Sequence, residues 1–211
     1  MAAPFTAQRD SISGAAGAIE IASHVQADMA PRAVAVIAHP HPLFGGSMDN
    51  KVVTTLARAF YDAGAAAYRF NFRGVGGSAG VHDEGRGETE DLLLVIDHAR
   101  ARHPGLPLWL AGFSFGGAVT LAASERVECQ QMVLVAPAFS RLAHWDGVEQ
   151  GGRPPPGTVI FHGELDETVP LADSLAWARP RQIPVVVVPG ADHFFHQRLH
   201  IIRSLAGKLV S

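Results

Sequence analysis

The chain contains one cysteine, no apolar run long enough to span a bilayer, and no excess of positive charge. A lone thiol, Cys129, excludes an internal disulfide and is compatible with a reducing compartment; the residue itself reads as a small apolar side chain packed before a strand. The opening residues, MAAPFTAQRDSISG, lack a basic patch followed by an apolar core, so no signal peptide is expected and the cytoplasm is the expected location. A net charge of -3 offers no electrostatic case for nucleic acid or an anionic membrane as partner. No G-x-x-x-x-G-K-[ST] occurs, and Gly74–Gly80 gives neither a clean G-x-G-x-x-G nor a helix directly after it, so no nucleotide cofactor is expected. The 11 histidines include no H-E-x-x-H and come with no cysteine ligand set, so no metal is expected either. His196 and His200 read instead as an exposed stripe on the last helix.

What is present is a globular composition, with 47% hydrophobic and 18% charged residues over a length that favours one domain, 1–211. Gln8–Gln26 reads as a hairpin with a loose turn at Gly14–Gly17. Strands are expected at 32–38, 65–72, 108–111, 132–136, 158–161 and 183–188. Helices are expected at 50–62 (capped by Ser47 or Asp49), from Glu88 or Thr89 to 102, at 118–123, 170–178 and 194–209, with a short one around 141–148. The strands are continuous apolar runs and alternate with helices. The expected fold is therefore α/β: a mostly parallel, doubly wound sheet with an antiparallel N-terminal hairpin.

The chemistry centres on Leu108–Ala123, LWLAGFSFGGAVTLAA. A strand passes into a helix through Gly112-Phe113-Ser114-Phe115-Gly116. A corner that sharp leaves no room for side chains on either side of Ser114, and it holds the serine in a strained conformation that lifts its hydroxyl off the sheet edge. A serine needs a base, and a histidine base needs an orienting carboxylate. In an open parallel sheet such groups collect beyond the strands' C-terminal ends. Ser114, Asp166 and His193 each follow a strand, in the chain order Ser, Asp, His expected for one class of serine hydrolase. Glu164, Glu167, Asp173 and Asp192 are rivals for the acid; His162 and His196 are rivals for the base and read as structural. Phe115 is expected to supply one oxyanion amide. The other is expected from His39–Gly46, with Leu43 chosen because Pro40 and Pro42 lack an N–H, and His41 and Phe44 as competitors.

These residues carry a likeness. The chain resembles the α/β-hydrolase superfamily over nearly its whole length. HPHPLFGGSMDNKVV (39–53), NFRGVGGSAG (71–80) and GFSFGG (112–117) resemble the small bacterial lidless serine hydrolases. That resemblance implies a carboxylesterase- or thioesterase-like activity related to dienelactone hydrolases, without their substrate, because those enzymes place cysteine where this chain has Ser114. Ala138–Gly157 is too short for a folded lid. An open, shallow site would suit small or short-chain acyl esters as the substrate partner, with Phe44, Phe115, Phe139, Trp145 and Phe194 as candidate acyl-pocket walls. A thioesterase or peptidase of the same fold, and a non-catalytic binding protein on this scaffold, are the alternatives.

Overall fold

The computed structural model describes residues 4–142 and 154–210. The chain runs β1 (Gln8–Gly14), β2 (Gly17–His24), β3 (Ala33–Ala38), α1 (Lys51–Asp62), β4 (Ala65–Phe70), α2 (Arg86–Arg102), β5 (Leu108–Phe113), α3 (Phe115–Ala123), β6 (Gln131–Val135), β7 (Val159–Gly163), α4 (Leu171–Ala178), β8 (Val185–Val188) and α5 (Leu199–Leu209). Its eight strands form one sheet in the order β1-β2-β4-β3-β5-β6-β7-β8. The first two pairings, β1 with β2 and β2 with β4, are antiparallel, and the remaining five are parallel. This is the doubly wound α/β sheet with an antiparallel edge that the sequence led us to expect.

Side chains alternate across each strand, so the central strands feed two cores. Val34, Val36 and Ala38 of β3 and Leu108 and Leu110 of β5 pack with Leu92, Ile96 and Val119 of α2 and α3. Ala33, Ala35 and Ile37 of β3 and Trp109, Ala111 and Phe113 of β5 pack with Val53, Leu56 and Ile202 of α1 and α5. Every residue of β3, β4 and β5 is buried. The exception in character is Arg69 of β4, a buried guanidinium that donates to Met48 O (2.5 Å) and Asp49 Oδ1 (2.9 Å) and rests on His24 Nε2 (3.1 Å). Burial and that guanidinium push His24 down to about 4, so the imidazole is a neutral acceptor.

The winding creates the site. From β3 the chain crosses to α1 on one face, whereas from β5, the neighbouring strand, it crosses to α3 on the other. The two loops diverge and leave a crevice at the sheet's C-terminal edge.

Several local expectations need correction. Asn50 caps α1, its Oδ1 accepting from Val52 N–H at 2.8 Å, because Asp49 is already paired with Arg9 and Arg69. The next helix, α2, starts at Arg86, since Glu88 in its first turn reaches back to Gly85 N–H. Helix α5 starts at Leu199, because positive φ at Phe195 and Gln197 makes 194–198 a series of turns. His196 therefore sits in a turn, bound to Asp192 at 2.5 Å, and shares no helical stripe with His200. The expected short helix at 141–148 is represented by a 3-10 turn at Phe139–Leu142; its remainder, and Trp145, lie outside the described residues. Among the described residues no helix is long and apolar enough to cross a membrane, and no cluster of His, Cys, Asp or Glu could hold a metal.

Candidate active site

The corner after β5 has the constraint expected of it. Ser114 has φ 55° and ψ -118°, a region costly for a residue with a Cβ. A Cβ on Gly112 would lie 2.2 Å from Gly116 O, and one on Gly116 would lie 2.4 Å from His39 O, so both positions require glycine. Neighbouring strands hold the strained residue in place. Ser114 N–H donates to Val135 O of β6 (2.9 Å), and its carbonyl accepts from Gly117 N–H (3.0 Å) and Ala138 N–H (3.1 Å). Phe115 is the first residue of α3, where an amide has no intrahelical acceptor.

Beyond β7 and β8 the chain delivers the other two residues. Asp166 Oδ1 accepts from the amides of Thr168 (2.9 Å) and Val169 (2.8 Å), which fixes the carboxylate within its own turn. Its Oδ2 accepts from His193 Nδ1 at 2.7 Å. His193 Nε2 lies 3.1 Å from Ser114 Oγ. The ring is almost fully buried and packs on Phe113, with centroids 4.8 Å apart. The structure thus brings Ser114, His193 and Asp166, separated by up to 79 positions, into one hydrogen-bonded line.

The rivals fall elsewhere. His162 is buried, bonded to Val169 O and Ser174 Oγ (2.9 Å each), with Nε2 3.4 Å from Asp166 Oδ2. Glu164 accepts from Gly190 N–H, and Asp192 binds His196. Burial alone would raise Asp166, but the bonds from His162, His193 and the Val169 amide outweigh it and hold the carboxyl well below the usual carboxylate range. A hydroxyl bonded to an imidazole that a carboxylate orients can pass its proton to the ring as it attacks an acyl carbon.

The loop after β3 forms the facing wall. His39 is fully buried; its Nε2 accepts from Phe72 N–H (3.0 Å), and its Nδ1–H donates to Pro40 O (2.6 Å), tying the ends of β3 and β4 together. Burial pushes it down to about 4, which matches a neutral ring used as one acceptor and one donor. At Leu43 the expectation needs revision. Its N–H donates to His41 Nδ1 at 3.2 Å, and Phe44 N–H donates to His41 O at 3.1 Å, so both amides are spent within the turn.

Between these walls lies a cleft of about 590 Å³ lined by Leu43, Phe44, Phe115, Phe194, Ser114 and His193, together with His41, His82 and Glu84. Leu43, Phe44 and Phe194 remain 69%, 76% and 45% exposed, so the apolar rim is open to water. Of the expected acyl walls, Phe139 is not among the lining residues; it stacks on Trp177 at 4.4 Å in the core. The sequence reading passed over His82, whose Nδ1 lies 2.8 Å from Glu88 Oε1. The available signal was a glutamate in the first turn of a helix, a position known for reaching back to the preceding loop. Cys129 takes no part: it is half-buried against the core, and burial pushes its thiol up to about 12.

Comparison with known proteins agrees with this fold. The profile of the family described as "Serine aminopeptidase, S33" matches residues 29–162. An α/β serine hydrolase without a lid from Xanthomonas campestris is 37% identical and superposes with a TM-score of 0.89, over 98% of this chain and 94% of that one. An uncharacterized protein of Rickettsia prowazekii is 33% identical over 174 residues, 78% of this chain and 73% of its own. A monoacylglycerol lipase of Mycolicibacterium smegmatis is 33% identical over 177 residues, 80% of this chain but 58% of the lipase's length.

Proposed function

The chain belongs to this family of α/β serine hydrolases, and on that premise we propose that it cleaves small or short-chain carboxylic esters through an acyl-enzyme intermediate. Ser114 Oγ attacks the ester carbonyl carbon while His193 Nε2 takes the hydroxyl proton. Asp166 keeps the ring in the required tautomer and stabilises the imidazolium. The amide of Phe115 donates to the developing oxyanion. A second donor comes from the 39–46 loop, and Leu43 can serve only if its amide leaves His41. The bond from acyl carbon to alcohol oxygen breaks, and His193 returns the proton to the departing alcohol. Water then enters, and its oxygen bonds the acyl carbon as His193 takes its proton. The bond from acyl carbon to Ser114 Oγ breaks, and His193 returns that proton to Oγ as the acid leaves.

The observation that carries this reading is the line from Ser114 Oγ to His193 to Asp166, with contacts of 3.1 and 2.7 Å. The open apolar rim supports a short acyl group, because a long chain would remain partly in water. The lipase relative favours an ester over a peptide bond. A thioester presents the same acyl carbon, and a panel of esters and thioesters graded by chain length ranks the two. The decisive test is Ser114→Ala, which abolishes turnover of p-nitrophenyl acetate and labelling by a fluorophosphonate while leaving thermal unfolding in place. Turnover that survives the substitution overturns the reading.

A further inference from the structure

Resting on that ester-hydrolase reading, we infer that His82, oriented by Glu88, is a specificity residue that accepts a hydrogen bond from a hydroxyl group of the substrate. Glu88 is fully buried. Its Oε2 accepts from Gly85 N–H (2.8 Å), and its Oε1 accepts from Asp83 N–H (2.9 Å) and meets His82 Nδ1 at 2.8 Å. These neighbours are N–H groups, so the carboxyl accepts from the histidine as well, and Nδ1 carries the ring hydrogen. In the neutral form of the ring the other nitrogen, Nε2, then offers a lone pair. Among the described residues none hydrogen-bonds to Nε2, and His82 lines the same cleft as Ser114 and His193.

The ring is held in position. It packs against His41 (centroids 4.7 Å apart) and Phe115 (5.4 Å), the residue that follows Ser114. Capping α2 accounts for Glu88, through Gly85, but not for a histidine pinned to the remaining oxygen and lining the cleft. Glu84, left-handed at φ 51°, lines the same cleft and adds a second acceptor. The lining is therefore acceptor-rich on this side and apolar at Leu43, Phe44 and Phe194. A polar but uncharged donor, an alcohol hydroxyl, is the complement of that arrangement. A site built to bond a hydroxyl disfavours the analogue that lacks one.

The test uses the full chain and one reference substrate, ethyl butyrate, against 2-hydroxyethyl butyrate (hydroxyl in the alcohol) and ethyl 3-hydroxybutyrate (hydroxyl in the acyl group). The wild type favours one of the two by about tenfold in kcat/KM, the worth of one hydrogen bond, and the arm that responds locates the hydroxyl. His82→Phe brings that ratio to about 1, whereas His82→Gln, which retains an acceptor, keeps most of it. His82→Met replaces the Phe variant if the latter does not fold. Ratios are taken within each protein, so a general loss of activity cancels. Equal rates in both arms for the wild type, or a preference that persists in His82→Phe, overturns the inference. Turnover by Ser114→Ala would instead locate the failure in the ester-hydrolase reading.

Discussion

His193 meets Asp166 at 2.7 Å and His82 meets Glu88 at 2.8 Å, and both rings line one cleft, yet the pairs are assembled differently. The first joins loops that leave β7 and β8, so it depends on the pairing of those strands, such as His162 with Val187. The second lies within six positions and is set by one helix start. In each, the carboxylate's other oxygen is held by backbone N–H, two amides for Asp166 and one for Glu88, which prevents the acid from turning away. What separates the pairs is the far nitrogen: a strained serine hydroxyl stands 3.1 Å from that of His193, and among the described residues none hydrogen-bonds to that of His82, a residue lining the cleft. A histidine–carboxylate pair acquires its chemistry from what stands at its outer edge.

The contrast can be broken in order of expected effect. Ser114→Ala removes the group at the far nitrogen and lowers kcat by about 10⁵-fold or more, read by p-nitrophenyl acetate turnover. Asp166→Asn preserves the shape but holds the ring in the wrong tautomer, so kcat falls by about 10⁴-fold with the chain still folded. A fall of less than tenfold would remove Asp166 from that role. Glu88→Ala acts in the opposite way. It strands the buried Gly85 amide, the part-buried Asp83 amide and a histidine N–H, and lowers unfolding free energy by about 3 kcal/mol in urea titrations.

The smallest effect concerns pH. His39 titrates near 4 when folded and near 6.5 when unfolded, so the unfolded chain binds more protons between those values. Its contribution is intact above about pH 6.5 and is lost as pH falls toward 4, at no more than about 1.4 kcal/mol per unit. Asp166, held low in the fold, contributes above the ordinary carboxylate range and loses that contribution only at more acid pH. The urea midpoint followed from pH 7.5 to 4.5, with His39→Gln as reference, separates the two; identical slopes would remove the histidine's part.

Legibility in the sequence followed the range of the interaction. The elbow could be read because its glycines, serine and flanking apolar runs are contiguous, and the strands because β3 to β7 are buried on both faces. The start of α5 could not: the apolar spacing of a helix extends back to Phe195, but the chain takes positive φ at Phe195 and Gln197 and turns there instead. The acceptor of Leu43's amide depends on where the His41 ring turns. Arg69 interrupts the apolar run of β4, and only its partners, His24 and the Met48–Asp49 turn, explain how the strand tolerates it.

By itself the sequence determined the alternation of elements, the corner at Ser114 and the order of three reactive side chains, because these depend on local sterics and on a repeating pattern of apolar burial. Only the tertiary structure decided which acid faces which base, which amides of the 39–46 loop are already spent, and that a second imidazole borders the cleft. Those outcomes rest on hydrogen-bond contacts that tolerate shifts of only a few tenths of an ångström. Such contacts are set by strand register and helix docking, which no local pattern encodes.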